Sequence, residues 1–215
     1  MAAIYKDCNN SLLTIEKKSK NIKLGGDHLQ IHTLGPAATD SCQAAQYYIK
    51  HYLKKQTQQS VRVVLHPSFE KLFEQFSLLA NDLLVIPAAF CSRKWNLTWG
   101  EWHYRNLSKL ELQDSFIYPL APMVLLENMA STSQIAYTHA ALSDLILQFI
   151  QPQKLRCSAS KYAAYQEYLV DGQYVLTNEK NVKLRSTEKV LQRFTPQMVW
   201  TVYQIKEFSK WKKPD

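Results

Sequence analysis

Two short segments of this chain combine hydroxyl side chains with the start of an amphipathic stretch. The first is Thr33-Leu34-Gly35-Pro36-Ala37-Ala38-Thr39-Asp40-Ser41. It follows the alternating run Leu29-Gln30-Ile31-His32 and precedes Ala44, Ala45, Tyr48 and Ile49 at helical spacing. A helix start leaves backbone N–H groups unpaired and partly positive, so it attracts a carboxylate. Thr39 and Ser41 would add hydroxyl donors, although Thr39 serves equally well as a plain N-cap with Asp40 favouring the dipole. Ser158-Ala159-Ser160 repeats the arrangement before a second helical pattern, with Ser160 as candidate cap. Ligands of open α/β sheets bind beyond the carboxyl ends of the strands. Two such junctions facing one cleft would bridge a small molecule carrying two carboxylates.

Further candidates lie at the ends of other strands. Tyr137-Thr138-His139 would direct Thr138 and His139 toward the same cleft, with His139 as proton donor or as a hydrogen-bonded structural residue. Thr177 ends a strand of the same kind. Trp95, Trp99, Trp102, Tyr104 and Arg105 crowd a polar stretch. They read either as a lid, with Arg105 and Lys109 clamping a carboxylate, or as core packing. No Ser-His-Asp order or nucleophile elbow is present, so covalent catalysis has no support.

Several classes are disfavoured. Of the cysteines Cys8, Cys42, Cys91 and Cys157, no two are close in sequence, and no H-x-x-x-H pair falls on a predicted helix, so no bound metal is expected. The chain has 5 glycines, too few and too dispersed for a phosphate-cradling loop, and no cofactor is expected. The net charge is +8, but its dense groups, Lys17-Lys18-Ser19-Lys20 and Lys210-Trp211-Lys212-Lys213, sit near the ends and read as solvated tails. Nucleic acid is therefore not an expected partner. No apolar run reaches the ~18 residues of a membrane span, and no signal-peptide pattern opens the chain. The expectation is a soluble, cytoplasmic protein with no membrane partner.

Elements must hold these residues in place. The pattern predicts strands over 29–34, 61–65 and 82–86, with helices from Asp40 and over 69–79 between them. Strands alternating with helices imply a parallel, right-handed sheet. Residues 115–126 read as one long segment crossing between lobes. A second α/β unit follows: strand 133–137, helix 140–150, strand 154–157, helix 161–170 and strand 173–177. The last strand, 198–205, runs back across the lobes. The predicted architecture is α/β with two lobes. An arm covers 1–27, the first lobe 28–117 with a contribution from about 190–208, the second lobe 118–189, and a basic tail 209–215.

With these residues in view, Thr33-Leu34-Gly35-Pro36-x-x-Thr39-x-Ser41 resembles the Gly-Pro-x-Gly-Thr-aromatic-Ser signature of the prephenate dehydratases. The strand into Ile86-Pro87, the Thr138-His139 strand end, and Ser158-Ala159-Ser160 before Ala163-Ala164 follow in the family's order. The resemblance covers roughly 29–205. It implies a two-lobed, type 2 periplasmic-binding-protein-like fold with the site between the lobes, and a homodimer. The chain departs from the family in informative places. The motif glycine is Ala38 and the aromatic is Asp40. The Glu-Asn-Ser after the third strand falls at Ala89, Phe90 and Cys91, and the last-strand Thr-Arg-Phe at Met198, Val199 and Trp200.

The chain is more similar to the non-aromatising prephenate decarboxylases of the bacilysin and aeruginosin pathways. That similarity rests on Tyr104 to Leu112, Asp114-Ser115-Phe116 and Pro122-Met123-Val124-Leu125. It implies a lyase of secondary-metabolite (antibiotic) biosynthesis that decarboxylates prephenate or a close analogue. His139 and Arg105 would be catalytic, and Thr39, Ser41, Lys109, Thr138, Ser158, Ser160 and Thr177 would bind substrate. The alternatives are a dehydratase, or a cleft that binds an aromatic carboxylate without turning it over.

Overall fold

The computed structural model describes residues 28–55, 60–92 and 94–207. The expected arm at 1–27 and basic tail at 209–215, with their lysine groups, lie outside the described residues.

The first sheet grows from β1 (His28–Leu34), whose alternation sends Leu29 and Ile31 to one face. There they meet Ala44, Ala45 and Tyr48 of α1 (Asp40–His51), the apolar face expected for that helix. β2 (Ser60–His66) lies parallel to β1 on one side, and β3 (Leu83–Pro87) lies parallel on the other. β3 is central and covered on both faces, so its residues read as one unbroken apolar run. Gly35 turns the chain tightly after β1: a Cβ there would stand 3.0 Å from the Leu65 Cβ.

Between β2 and β3, the single helix expected over 69–79 is two pieces. α2 spans Phe69–Phe73, and a 3-10 turn follows at Phe76–Leu78. The break lets both Phe73 and Phe76 reach Trp102, at ring distances of 4.5 and 6.3 Å. After β3 come a small hairpin, β4 (Cys91–Ser92) and β5 (Leu97–Thr98), and α3 (Trp99–Arg105). Trp102 is buried in the second face of the first sheet with Leu84, Ile86 and Tyr203, so packing is the role of this tryptophan.

The long segment expected to cross between lobes is two strands in two sheets. β6 (Leu110–Pro119) ends before Leu120, and β7 (Met123–Asn128) begins after Pro122, so the crossing is only Leu120–Pro122. The second sheet continues with β8 (Ile135–His139), α4 (Ser143–Ile146), β9 (Lys154–Ser158), α5 (Lys161–Asp171) and β10 (Tyr174–Asn178). The helix expected from Ala140 starts as a 3-10 turn, because the Ser143 hydroxyl donates to the Ala140 carbonyl at 2.7 Å and competes with helical pairing. β11 (Glu188–Phe194), unforeseen in the sequence, pairs with β7 in the second sheet. The last strand, β12 (Gln197–Ile205), lies wholly in the first sheet, antiparallel to β3 and β6. The return between lobes is therefore Thr195–Pro196 and not the strand itself. The sheet orders are β2-β1-β3-β12-β6 and β11-β7-β10-β8-β9.

One polar chain runs through the first lobe. His32, 2% exposed, contacts Asp82 through Nε2 at 3.1 Å and His66 Nε2 through Nδ1 at 2.9 Å. Burial pushes the His32 imidazole below its ordinary value against the pull of Asp82, with Arg62 lowering it further. Burial and the neighbouring His32 lower His66 as well. The folded state thus holds the pair neutral at a pH where the unfolded chain binds protons. As pH falls below the ordinary histidine value of 6.5, the unfolded state gains protons first and stability drops. Urea unfolding at about pH 7.5 and about pH 5.5 should show this loss, and it should shrink in His66→Asn. A stability that rises on acidification would contradict the assignment.

Candidate functional site

The helix starts sit where the strand ends bring them. Thr39 caps α1 by accepting from the Cys42 N–H at 3.2 Å, and its hydroxyl donates to the Leu34 carbonyl at 2.8 Å. Ser160 caps α5 by accepting from the Ala163 N–H at 3.0 Å. Thr177 donates to the Lys161 carbonyl at 2.6 Å and so ties the first residue of α5 to β10. Thr138 is fully buried and donates to the Leu176 carbonyl at 3.1 Å. These four hydroxyls, expected to bind substrate, are bonded to the backbone: Thr39 and Ser160 as helix caps, and Thr138 and Thr177 because a hydroxyl in a covered strand meets its hydrogen-bonding need on a nearby carbonyl.

A cavity of about 520 Å³ opens between the two sheets, within the ~300–1,000 Å³ usual for a small-molecule site. Of the expected residues, Ser41, His139 and Ser158 line it. The Ser158 hydroxyl donates to Glu167 at 3.0 Å. His139 Nδ1 accepts from the Ala141 N–H at 3.3 Å, so a neutral ring carries its proton on Nε2. Thr39, Thr138, Ser160 and Thr177 are not among the residues that line it. Arg105 and Lys109 are elsewhere. Because α3 packs on the first sheet through its own Trp102, they line a separate recess with Phe73 and Trp95 that shares no residue with the cleft. The residues of the expected Arg105–Lys109 clamp thus line that recess and not the cleft.

Sequence reasoning passed over the charged groups that do face the cleft: Asp40, Glu70, Lys94 and Lys161. Asp40 and Lys161 are the first residues of α1 and α5, and they meet across the lobes at 3.1 Å. Asp40 also accepts from the Ala121 N–H at 2.8 Å, in the crossing segment. Lys180 adds a second tie by donating to the Ala38 carbonyl at 2.9 Å. Glu70 accepts from the Ser92 hydroxyl at 2.6 Å. Burial pushes the Glu70 carboxyl up, but hydrogen bonds from Ser92, its own backbone and Ser68, with the Lys94 charge, outweigh this and hold it below the ordinary value. Glu70 therefore faces the cleft as an anion.

The remaining wall is largely apolar: Phe69, Pro87, Phe90, Leu120, Met198 and Trp200. Ala89, Phe90 and Cys91, which stand at the Glu-Asn-Ser positions of the resemblance, lie in this wall, as do Met198 and Trp200. Among the described residues no His, Cys, Asp and Glu group is arranged to hold a metal, and no helix is long and apolar enough to cross a membrane.

No protein-family model and no curated protein sequence matches the chain. Among solved structures, an ABC transporter protein from Parabacteroides distasonis superposes with a TM-score of 0.55 at 13% identity. The match covers 83% of this chain and 66% of that one, so the chain spans just under two thirds of that structure's length. The prephenate dehydratase from Staphylococcus aureus subsp. aureus Mu50 gives a TM-score of 0.45 at 13% identity, over 84% of this chain and 67% of that one. The methionine-binding protein MetQ gives 0.47 at 12% identity, over 82% of each chain. With two sheets, a short double crossing and a cleft between them, the chain has the two-lobed, type 2 periplasmic-binding-protein-like α/β fold.

The Asp40–Lys161 pair joins side chains that are 21% and 16% exposed, between a surface and a buried ion pair. A double-mutant cycle of Asp40→Asn and Lys161→Met, read by urea unfolding, should give a coupling of about 1–2 kcal/mol. A coupling near zero would mean that the pair does not hold the lobes.

Proposed function

We propose that this protein binds a small organic acid with an apolar, ring-sized body in the cleft between its lobes, and that binding rather than turnover is its role. The observation that carries the reading is the meeting of two helix starts, with the Lys161 ammonium, at the mouth of an apolar cavity of about 520 Å³. The partly positive helix starts and Lys161 receive the carboxylate. Phe69, Phe90, Met198 and Trp200 receive the body. Support for binding over catalysis comes from Arg105, one of the two residues expected to be catalytic, which lines another recess.

The second reading is the non-aromatising decarboxylation of prephenate or a close analogue, and the observation that favours it is His139 in the cleft wall. An apolar pocket would solvate the ring carboxylate poorly and favour its loss, while a proton from His139 reaches a ring carbon. The apolar Met198 and Trp200 offer nothing to protonate the leaving hydroxyl, so the ring alcohol stays.

Purified protein incubated with prephenate separates the readings. Binding predicts a raised melting temperature with prephenate or a simpler aromatic acid, and substrate recovered unchanged. Carbon dioxide without phenylpyruvate, lost in His139→Ala, would establish the lyase instead. Phenylpyruvate would establish a dehydratase.

A further inference from the structure

We infer that the cleft takes a zwitterion, an α-amino acid with an apolar side chain, rather than a dicarboxylate; this rests on the proposed organic-acid site and narrows its ligand. The charges facing the cavity are the carboxylates of Asp40 and Glu70 and the ammonium groups of Lys94 and Lys161. They balance. Both cations also have acidic partners in place, Lys161 on Asp40 at 3.1 Å and Lys94 on Glu74 at 3.2 Å. A dicarboxylate entering this space would add two anions beside two standing ones, and in a partly dry cavity each uncompensated charge is costly. A zwitterion adds no net charge and brings one partner for each sign.

The placement follows from the elements. Lys161 opens α5 and Asp40 opens α1, so the ion pair lies across the gap between the helix starts. A ligand carboxylate at this point takes the Lys161 ammonium and the α5 start. The ligand ammonium takes an acidic oxygen. Each acid has one oxygen engaged, Asp40 by the Ala121 N–H and Glu70 by the Ser92 hydroxyl, so the choice between them falls to the neighbouring wall. Glu70 stands in the first turn of α2 beside Phe69 and Phe90, held ionised by Ser92 and by its own backbone. Glu70 is therefore the ammonium acceptor, and the neighbouring rings with Met198 and Trp200 receive the side chain. The Asp40–Lys161 contact opens as the ligand carboxylate takes Lys161; two ligand ion pairs, with Lys161 and Glu70, then stand in place of that one, and Asp40 keeps the bond from the Ala121 N–H.

Calorimetric titration of the full chain tests this with matched probes: L-phenylalanine, L-leucine, 3-phenylpropionate, phenethylamine and prephenate. The expected result is binding of at least one amino acid, with 3-phenylpropionate and phenethylamine weaker by about tenfold or more, since each leaves a cleft charge unpaired. Glu70→Gln, which can still accept from Ser92, should weaken the amino acid by about tenfold while leaving 3-phenylpropionate unchanged. Equal or tighter binding of 3-phenylpropionate or prephenate would overturn the zwitterion and leave the organic-acid site standing. Absence of binding by every probe would overturn both. An amino-acid affinity indifferent to Glu70→Gln would overturn the assignment of Glu70 as its partner.

Discussion

The structure turns on the carboxylate of Asp40. One oxygen accepts from the crossing segment at Ala121, and the other meets Lys161 on the opposite lobe. A single residue at the start of α1 thereby links the first lobe, the crossing and the second lobe. The crossings are short, at Leu120–Pro122 and Thr195–Pro196, so the angle between the sheets is set by few backbone torsions and by what spans the gap. Asp40 and Lys161 both owe their positions to threonines. Thr39 ties the start of α1 to the end of β1, and Thr177 ties the start of α5 to β10. The hydroxyls that look like ligand donors in the sequence are the fittings that aim the charges.

This division of labour shapes the cleft's chemistry. The wall formed by Pro87 to Cys91 and by β12 is mainly apolar, which suits holding a ring or an aliphatic chain. The charged groups are concentrated at the helix starts and at Glu70, where they fix orientation. A cleft with balanced charges and few proton donors discriminates by shape and by placement of ligand charge, which is what a binding site needs.

Much of the fold was legible because its signals are local and periodic. The alternation in β1, the β-branched run in β2, the covered run in β3 and the caps Thr39 and Ser160 stand in the chain as written. Elements whose identity depends on distant partners were not legible. β11 has a mixed polar face and exists because β7 pairs with it, while the break after Phe73 answers to Trp102. Ser41, His139 and Ser158 line the cleft as residues at strand ends and helix starts, which are predictable places. That Arg105 and Lys109 line the other recess was not legible, because a cationic aromatic stretch does not reveal which way its helix packs. Asp40 and Lys161 were overlooked as ligand-facing groups because each, read alone, is an ordinary first-turn residue; only the meeting of the lobes makes them a pair. Glu70 was hidden in the same way, on a helix that reads as plain amphipathic packing.

The measurement that bears most directly on the central claim is a crystal structure of the protein grown with an excess of L-phenylalanine. The ligand is predicted between the lobes, its carboxylate within hydrogen-bond reach of Lys161, its ammonium on Glu70 and its ring against Trp200 and Phe90. A ligand found only in the recess beside Trp95 and Arg105, or lobes that close with the cleft empty and Asp40 still on Lys161, would contradict it.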